Sequence, residues 1–428
     1  MKRLLLLFIL SLVMPVSMAY SAQTVFTPRF SVTEDFTDNV YLTRYNRQED
    51  FVLTPSAMLA FAISNPTREL AISYNPAYSF YHNYSENDTF RQQAALTAGS
   101  GLGKNTRFEI SDSFLQTEDP VSDFQTADPA FQEDFTRRKD RQTYYRNAAR
   151  AELSHQFGPS DSFSLAYAYD TLENKDPGLE DNRRHVPSVS LIYWLTPRWG
   201  TETDLSFEKG EFEESADFNN SIGRFRLTRV FSKHFETFVQ YTHTMFDDKG
   251  EEKEDYQVYD PALGFTWKMD QDTTFSVSAG YFIRDLEVSD NESGMTINGD
   301  LGKKWTFRRS AFSLTGSSGY DQSYYGAENL GFSKYYQVRG NGKYEFSRHL
   351  SADIFGSFRH TRYEDLEENR KDDLTSVGSG LNYRITQWLM ARLSYVYRTL
   401  DSSNEEDAYD ENRVMLMFSV APAQPIRL

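Results

Sequence analysis

The stretch Phe275-Ser-Val-Ser-Ala-Gly-Tyr-Phe-Ile-Arg284 alternates along its length: Phe275, Val277, Ala279, Tyr281 and Ile283 fall on one face, with Ser276, Ser278, Gly280 and Arg284 on the other. Successive side chains of an extended strand point to opposite faces, so a period of two marks a strand with one apolar face. The same pattern recurs in Leu389, Ala391, Leu393, Tyr395 and Tyr397, which alternate with Met390, Arg392, Ser394 and Arg398. It returns in Phe163 to Tyr169, Phe235 to Tyr241, Val377 to Ile385 and Val414 to Val420, and from about residue 28 to 420 no segment shows a helical period.

Short and long connectors take turns between these runs. Nine short ones fall at Ser64–Thr67, Gly103–Asn105, Gly158–Asp161, Thr196–Arg198, Ser232–His234, Asp270–Asp272, Trp305–Arg308, Ser347–His349 and Thr386–Trp388, mostly about 36 to 42 residues apart. Opposite them lie longer loops rich in Asp, Glu and Asn: Thr37–Asp50, Glu118–Arg141, Asp247–Asp255, Asp365–Asp373 and Asp401–Asp410. The repeating unit is therefore a hairpin of two long strands, and the count gives about 20 strands, with 18 also compatible.

A soluble propeller also repeats at about 40 residues, but its blades hold four short strands with both faces packed. Long strands with one apolar face, joined by short turns at one end and long loops at the other, predict a single-chain transmembrane antiparallel β-barrel over residues 23–428. Closure pairs every backbone group between strands, which lets a chain of mean hydropathy -0.62 enter a bilayer. Turn motifs such as Leu195-Thr-Pro-Arg-Trp199, Phe231-Ser-Lys-His-Phe235 and Ile385-Thr-Gln-Trp-Leu389 place aromatic or apolar residues at strand ends, as an interfacial girdle requires. Short turns belong to the periplasm and long acidic loops to the outside.

Residues 1–22 carry the marks of a secretory signal peptide: Lys2 and Arg3, the apolar Leu4–Val16, and the small residues Ser17 and Ala19 before the cleavage region. The 428 residues contain no cysteine, which removes thiolate catalysis, disulfides and Cys-ligated metals. A net charge of -17 argues against a nucleic-acid partner, whose phosphates are bound by Lys and Arg. The seven histidines lie on different strands and turns, and no HExxH, GxSxG or phosphate-cradling loop occurs, so no enzyme, cofactor or metal site is expected.

With the apolar face toward lipid, Arg146, Arg150, Arg224, Arg226, Arg339, Lys343, Arg384, Arg392 and Arg398 line the lumen. Rings of basic residues would favour anionic solutes, whereas pairing with inward Asp and Glu would merely stiffen the wall. The same register puts Asp112 and Arg229 on the lipid face, where charge is tolerated near strand ends. A barrel of this size is roughly 40 Å across, from strand spacing and tilt. Glu118–Arg141, with Phe124, Phe131 and Phe135 among acids, is long enough to fold inward as a constriction. The chain does not stop at the strand-terminal aromatic Phe418 but runs on through Ala421-Pro-Ala-Gln-Pro-Ile-Arg-Leu428.

The opening Phe26-Thr-Pro-Arg-Phe-Ser-Val-Thr-Glu-Asp-Phe-Thr-Asp-Asn-Val-Tyr-Leu42, the following Asp50-Phe-Val-Leu-Thr-Pro-Ser-Ala57 and the Leu195–Trp199 type of turn resemble the outer-membrane porins of the β-barrel porin 2 type that accompany exopolysaccharide export systems. The resemblance implies a Gram-negative outer-membrane barrel that partners a periplasmic polysaccharide export protein and passes polymer through its lumen. The leading expectation is thus a conduit for exopolysaccharide. The alternatives are a general or solute-specific diffusion porin and a structural or adhesive barrel.

Overall fold

The computed structural model describes residues 22–119, 141–176, 178–250, 254–305, 309–325, 328–365 and 370–428. The strands follow in chain order: β1 (Gln23–Thr37), β2 (Asp50–Ser64), β3 (Arg68–Tyr81), β4 (Thr89–Gly101), β5 (Thr106–Thr117), β6 (Tyr144–Gln156), β7 (Ser162–Asn174), β8 (Asn182–Thr196), β9 (Trp199–Phe212) and β10 (Phe218–Ser232). They continue with β11 (Phe235–Asp248), β12 (Tyr256–Asp270), β13 (Thr273–Leu286), β14 (Glu292–Trp305), β15 (Ser310–Tyr325), β16 (Glu328–Glu345), β17 (Leu350–Tyr363), β18 (Lys371–Arg384), β19 (Leu389–Ser402) and β20 (Tyr409–Val420). Each pairs antiparallel with its sequence neighbours, and β1 closes the circle on β20 from Thr37↔Arg413 to Phe30↔Val420. The protein is a closed barrel of 20 strands, which removes 18 as the count. Every one of the nine short connectors read from the sequence joins two of these strands at one end of the barrel.

The tail has a structural use. After a break at 421–425, β21 (Ile426–Arg427) continues the line of β20 and pairs with Phe26 and Val25 of β1. The Leu428 amide then donates to the Thr24 carbonyl, so the C-terminus extends the closing seam to the short-turn rim.

Alternation sorts the side chains. Leu263, Val239, Ile354, Val338 and Leu393 stand exposed on the outer surface. Near the long-loop end, rings group on that surface: Tyr167 and Tyr169 with His185, Tyr241 and Tyr259 with His243, and Tyr336 with His360. At the short-turn end Phe231, Phe235 and Phe265 pack in sequence, and Arg229 stacks on Trp199 and Phe231. The two aromatic groups mark the two levels where rings sit between hydrocarbon and water, and they account for Arg229 at a strand end. Asp112 departs from the expectation that lipid-facing charge keeps to strand ends. It sits in the middle of β5, where it accepts a hydrogen bond from Asn147 Nδ2 (2.7 Å).

These faces make opposite demands. Leu263→Arg, on the lipid side, is expected to lower the stability of the refolded barrel in vesicles by about 2–4 kcal/mol in a urea titration. Asn298→Arg, on the lumen side, should change it by no more than about 0.5 kcal/mol.

Candidate channel and its outer constriction

Inward side chains differ sharply between the two ends of the lumen. Toward the short turns, charge is paired but wet. Arg224 of β10 binds Asp204 (2.7 Å) and Glu202 of β9, Arg226 binds Gln240 of β11 (2.7 Å), and Arg150 reaches Glu152 (3.0 Å). Arg392 of β19 grips Asp353 of β17 with both terminal nitrogens (3.0 and 2.9 Å) and also donates to Asn382 (2.7 Å). The side chains of Arg150, Arg224 and Arg392 keep 33%, 33% and 35% exposure, which only an open lumen allows. Lys343 pairs with Glu345 (3.3 Å), and Arg339 and Arg384 are exposed on the same inner face. Across the barrel, Ala60, Ala62, Ala71, Ser73, Ala95 and Thr97 line a hollow of about 190 Å³ on the β2–β4 wall. Small side chains line this stretch of the wall, Arg107 pairs with Glu69 and Glu109 nearer the short turns, and the other strands carry further ladders of opposite charge.

Toward the long loops the inward side chains are packed and buried. Arg146 and Arg184 share Asp170 (3.0 and 3.1 Å) and retain only 1% and 4% side-chain exposure, and Arg398 donates to the buried Glu411 (3.3 Å). Of the nine basic residues read from the sequence, Arg146 and Arg398 thus belong to this packed layer, away from the open part.

The layer is built by chain that folds back from the loops. Val40, in the β1–β2 loop, packs on Val52 and Tyr81, while Leu42 packs on Leu400 and Tyr409. Leu42 holds a left-handed φ of 50°, at a cost of about 1–2 kcal/mol for a residue with a Cβ. Complete burial of its side chain offsets that cost. The ends of the β5–β6 loop join in: Asp119 binds Arg141 (3.1 Å) and Arg413 (2.8 Å), Arg413 also holds Asp35, and Arg141 Nε donates to the Val40 carbonyl (2.7 Å). Glu118 accepts from Tyr81 (2.7 Å) and pairs with Arg91. Residues 120–140 of the loop expected to constrict the lumen lie outside the described residues; its ends, Glu118, Asp119 and Arg141, face the buried mouth.

On the other side the filling is aromatic. Phe218, Phe246, Tyr256, Val258, Phe282 and Phe332 form one buried cluster. Arg284 lies between the Tyr256 and Phe332 rings (4.2 and 4.3 Å from their centroids) and binds Asp365 (2.7 Å). Gly331, at φ 81°, makes the turn into Phe332, and a Cβ there would strike the Asp365 carboxylate. The sequence signal for both inserts was present but discontinuous: Val40-Tyr-Leu42 is an apolar triplet in an acidic loop, and Tyr320 and Phe332 carry aromatics beyond the girdle level.

Residues 214–421, from the loop after β9 through β20, match the family model described as "Putative beta-barrel porin 2". Residues 214–421 of this 20-stranded barrel are thus similar to that porin family. The match bears out the family resemblance read from the sequence, over residues that do not include the motifs Phe26–Leu42, Asp50–Ala57 and Leu195–Trp199, and it carries no association with exopolysaccharide export. No curated protein sequence matches it. Among solved structures, the FrpB iron transporter from Neisseria meningitidis (F5-1 variant) aligns over 93% of this chain and 82% of its own at 10% identity, with a TM-score of 0.54. OpdK from Pseudomonas aeruginosa, solved with vanillate, covers 94% and 99% at 9% identity with a TM-score of 0.46. A BenF-like porin from Pseudomonas fluorescens Pf-5 covers 96% and 100% at 10% identity with a TM-score of 0.45. At such identities the likeness to FrpB is one of fold.

The histidines form no site: His155, His185, His243 and His360 face outward, His234 and His349 sit in turns, and His82 follows β3. Among the described residues no group of His, Asp and Glu has metal-binding geometry.

Burial pushes the Asp119 carboxyl up, but Arg413, Arg141 and Arg91 outweigh it and hold the group well below the usual carboxylate range. The stability this confers is present above the unfolded value of about 3.9 and is lost as pH falls toward the folded one. Asp119→Asn should therefore cost about 3–5 kcal/mol at neutral pH in urea titration, since it removes the acid that the buried Arg141 pairs with and one of the two that hold Arg413. The gap to wild type should shrink below about pH 4.

Proposed function

We propose that the protein is an outer-membrane diffusion porin selective for small solutes, exported by its N-terminal 22 residues and oriented with the short turns in the periplasm. The observation that carries this reading is the contrast within one lumen, wet ion pairs toward the short turns and a packed layer toward the loops. A mouth narrowed by side chains from both flanks suits single solutes. A conduit for exopolysaccharide would need a wide way through along the whole axis, and the packed outer layer of inward side chains weighs against it; a partner on the periplasmic side would have to open that layer. An adhesive barrel would need neither the open inner half nor its exposed ion-pair ladders. The family description also favours a channel.

Each inward Arg of the open half that is described with an acid partner is largely neutralised by it, as Arg392 is by Asp353. The expected channel is therefore only weakly ion-selective. Vesicles containing the refolded protein should swell in monosaccharide solutions and not in solutions of long dextrans; ready passage of the dextrans would overturn the reading in favour of a polymer conduit. Asp353→Asn frees Arg392 and should move the reversal potential in a salt gradient toward anion preference, with stability little changed because the site is a third exposed.

A further inference from the structure

Around Tyr320 and Phe332 the β15–β16 hairpin lies on the inner side of its own wall. Alternation groups Tyr320 with Phe312 and Leu314, and Phe332 and Lys334 with Tyr336 and Val338, all of the latter exposed on the outer surface. Yet the Tyr320 ring is 4.9 Å from Phe282, the Phe332 ring is 5.4 Å from Tyr256, and Lys334 Nζ is 3.0 Å from Glu292. Phe282, Tyr256 and Glu292 all point into the lumen, by the same alternation that exposes Tyr281, Ile283, Leu263 and Met295. An outward face can meet inward residues of β12–β14 only if the strands that bear it have passed inside the wall.

The strand pairing agrees. The β13–β14 ladder runs up to Arg284↔Glu292 and the β15–β16 ladder to Tyr325↔Glu328, but the β14–β15 ladder ends at Ile297↔Ser318. Above that rung the wall is split, and the β15 edge is rolled inward behind β12–β14. The rung before the last but one is Gly299↔Gly316, and Gly319 follows at the split, so β15 bends where it has little side chain to hold it.

Continuing the β14–β15 register by two residues would set Tyr320 opposite Met295. There it would stand beside Tyr281 at the outer aromatic level, and the ladder would regain its missing rungs. That position forfeits the aromatic cluster and the Arg284–Asp365 and Lys334–Glu292 pairs. Each arrangement has substantial contacts the other lacks, which is the condition for two discrete states. We propose that the part of the β15–β16 hairpin that carries Tyr320, Phe332 and Lys334 is a displaceable closure, resting inside the lumen and able to swing back into the wall, where it widens the mouth to larger solutes. This rests on the reading of the barrel as a porin and deepens it.

The chain has no cysteine, so paired thiols can be introduced on a silent background. Phe282→Cys with Tyr320→Cys traps the inner position, and Met295→Cys with Tyr320→Cys traps the wall position. Cross-linking under oxidant is read on gels of the refolded barrel, with heat-modifiable mobility as the check of folding, and single-channel conductance is recorded before and after reduction. Both pairs should cross-link; the first should hold conductance at its low level and the second should raise it severalfold, reversibly with reductant. Adding Arg284→Gln should speed formation of the second cross-link severalfold, because it releases Asp365. If only the first pair cross-links, with or without Arg284→Gln, the hairpin is a fixed filler and the proposal is wrong. The same holds if the second forms and conductance does not change. Both cross-links with no conductance in any form would leave the two positions standing and overturn the porin reading instead.

Discussion

Every feature of this molecule answers to one requirement, that no backbone amide or carbonyl meet the hydrocarbon without a partner. Twenty antiparallel strands meet it only if the last returns to the first, and β1 does close on β20. Closure then fixes the rest of the chemistry. Alternate residues must suit lipid, and the others enclose a space that the chain is free to fill with charge. A quarter of the residues being charged is compatible with a membrane protein for this reason.

How the enclosed space is filled depends on the connectors. At the short-turn end no chain is available to fold back, so inward Arg, Asp and Glu pair with one another across neighbouring strands and stay hydrated. At the other end the loops supply their own side chains. Val40 and Leu42 from one loop, Asp119 and Arg141 from another, and Asp365 from a third all reach inward and bury charged and apolar groups together. Buried ion pairs of this kind contribute little net stability, yet losing one partner is costly, so they fix where the loops lie.

The barrel was legible because its code is local and redundant. A period of two in Phe275–Ile283 or Leu389–Tyr397 can be read without knowing any neighbour, and nine recurring turns supply the strand count. The inner face followed from the same alternation. What alternation cannot carry is the path of a strand that leaves the wall. Tyr320 and Phe332 obey the period and still end inside, because the split between β14 and β15 is a property of three strands at once. The mid-strand place of Asp112 escaped for a related reason: its partner Asn147 comes from the next strand, 35 residues further along the chain. The tail after Phe418 looked like an irregular ending only because its pairing partner lies at the far end of the sequence.

The closing seam also dictates an order of events. Its rungs run from Thr37↔Arg413 to Phe26↔Ile426, so they join the first residues of the barrel to the last. Strand β1 can pair with β2 as soon as both exist, but its other edge stays open until the entire chain has been delivered. Contacts of such separation are slow to form, and an open strand edge invites pairing with other chains in the meantime. A cell that makes this barrel must therefore shelter that edge of β1 until β20 arrives, and a truncation that removes β20 leaves a molecule that is nearly complete and unable to shut.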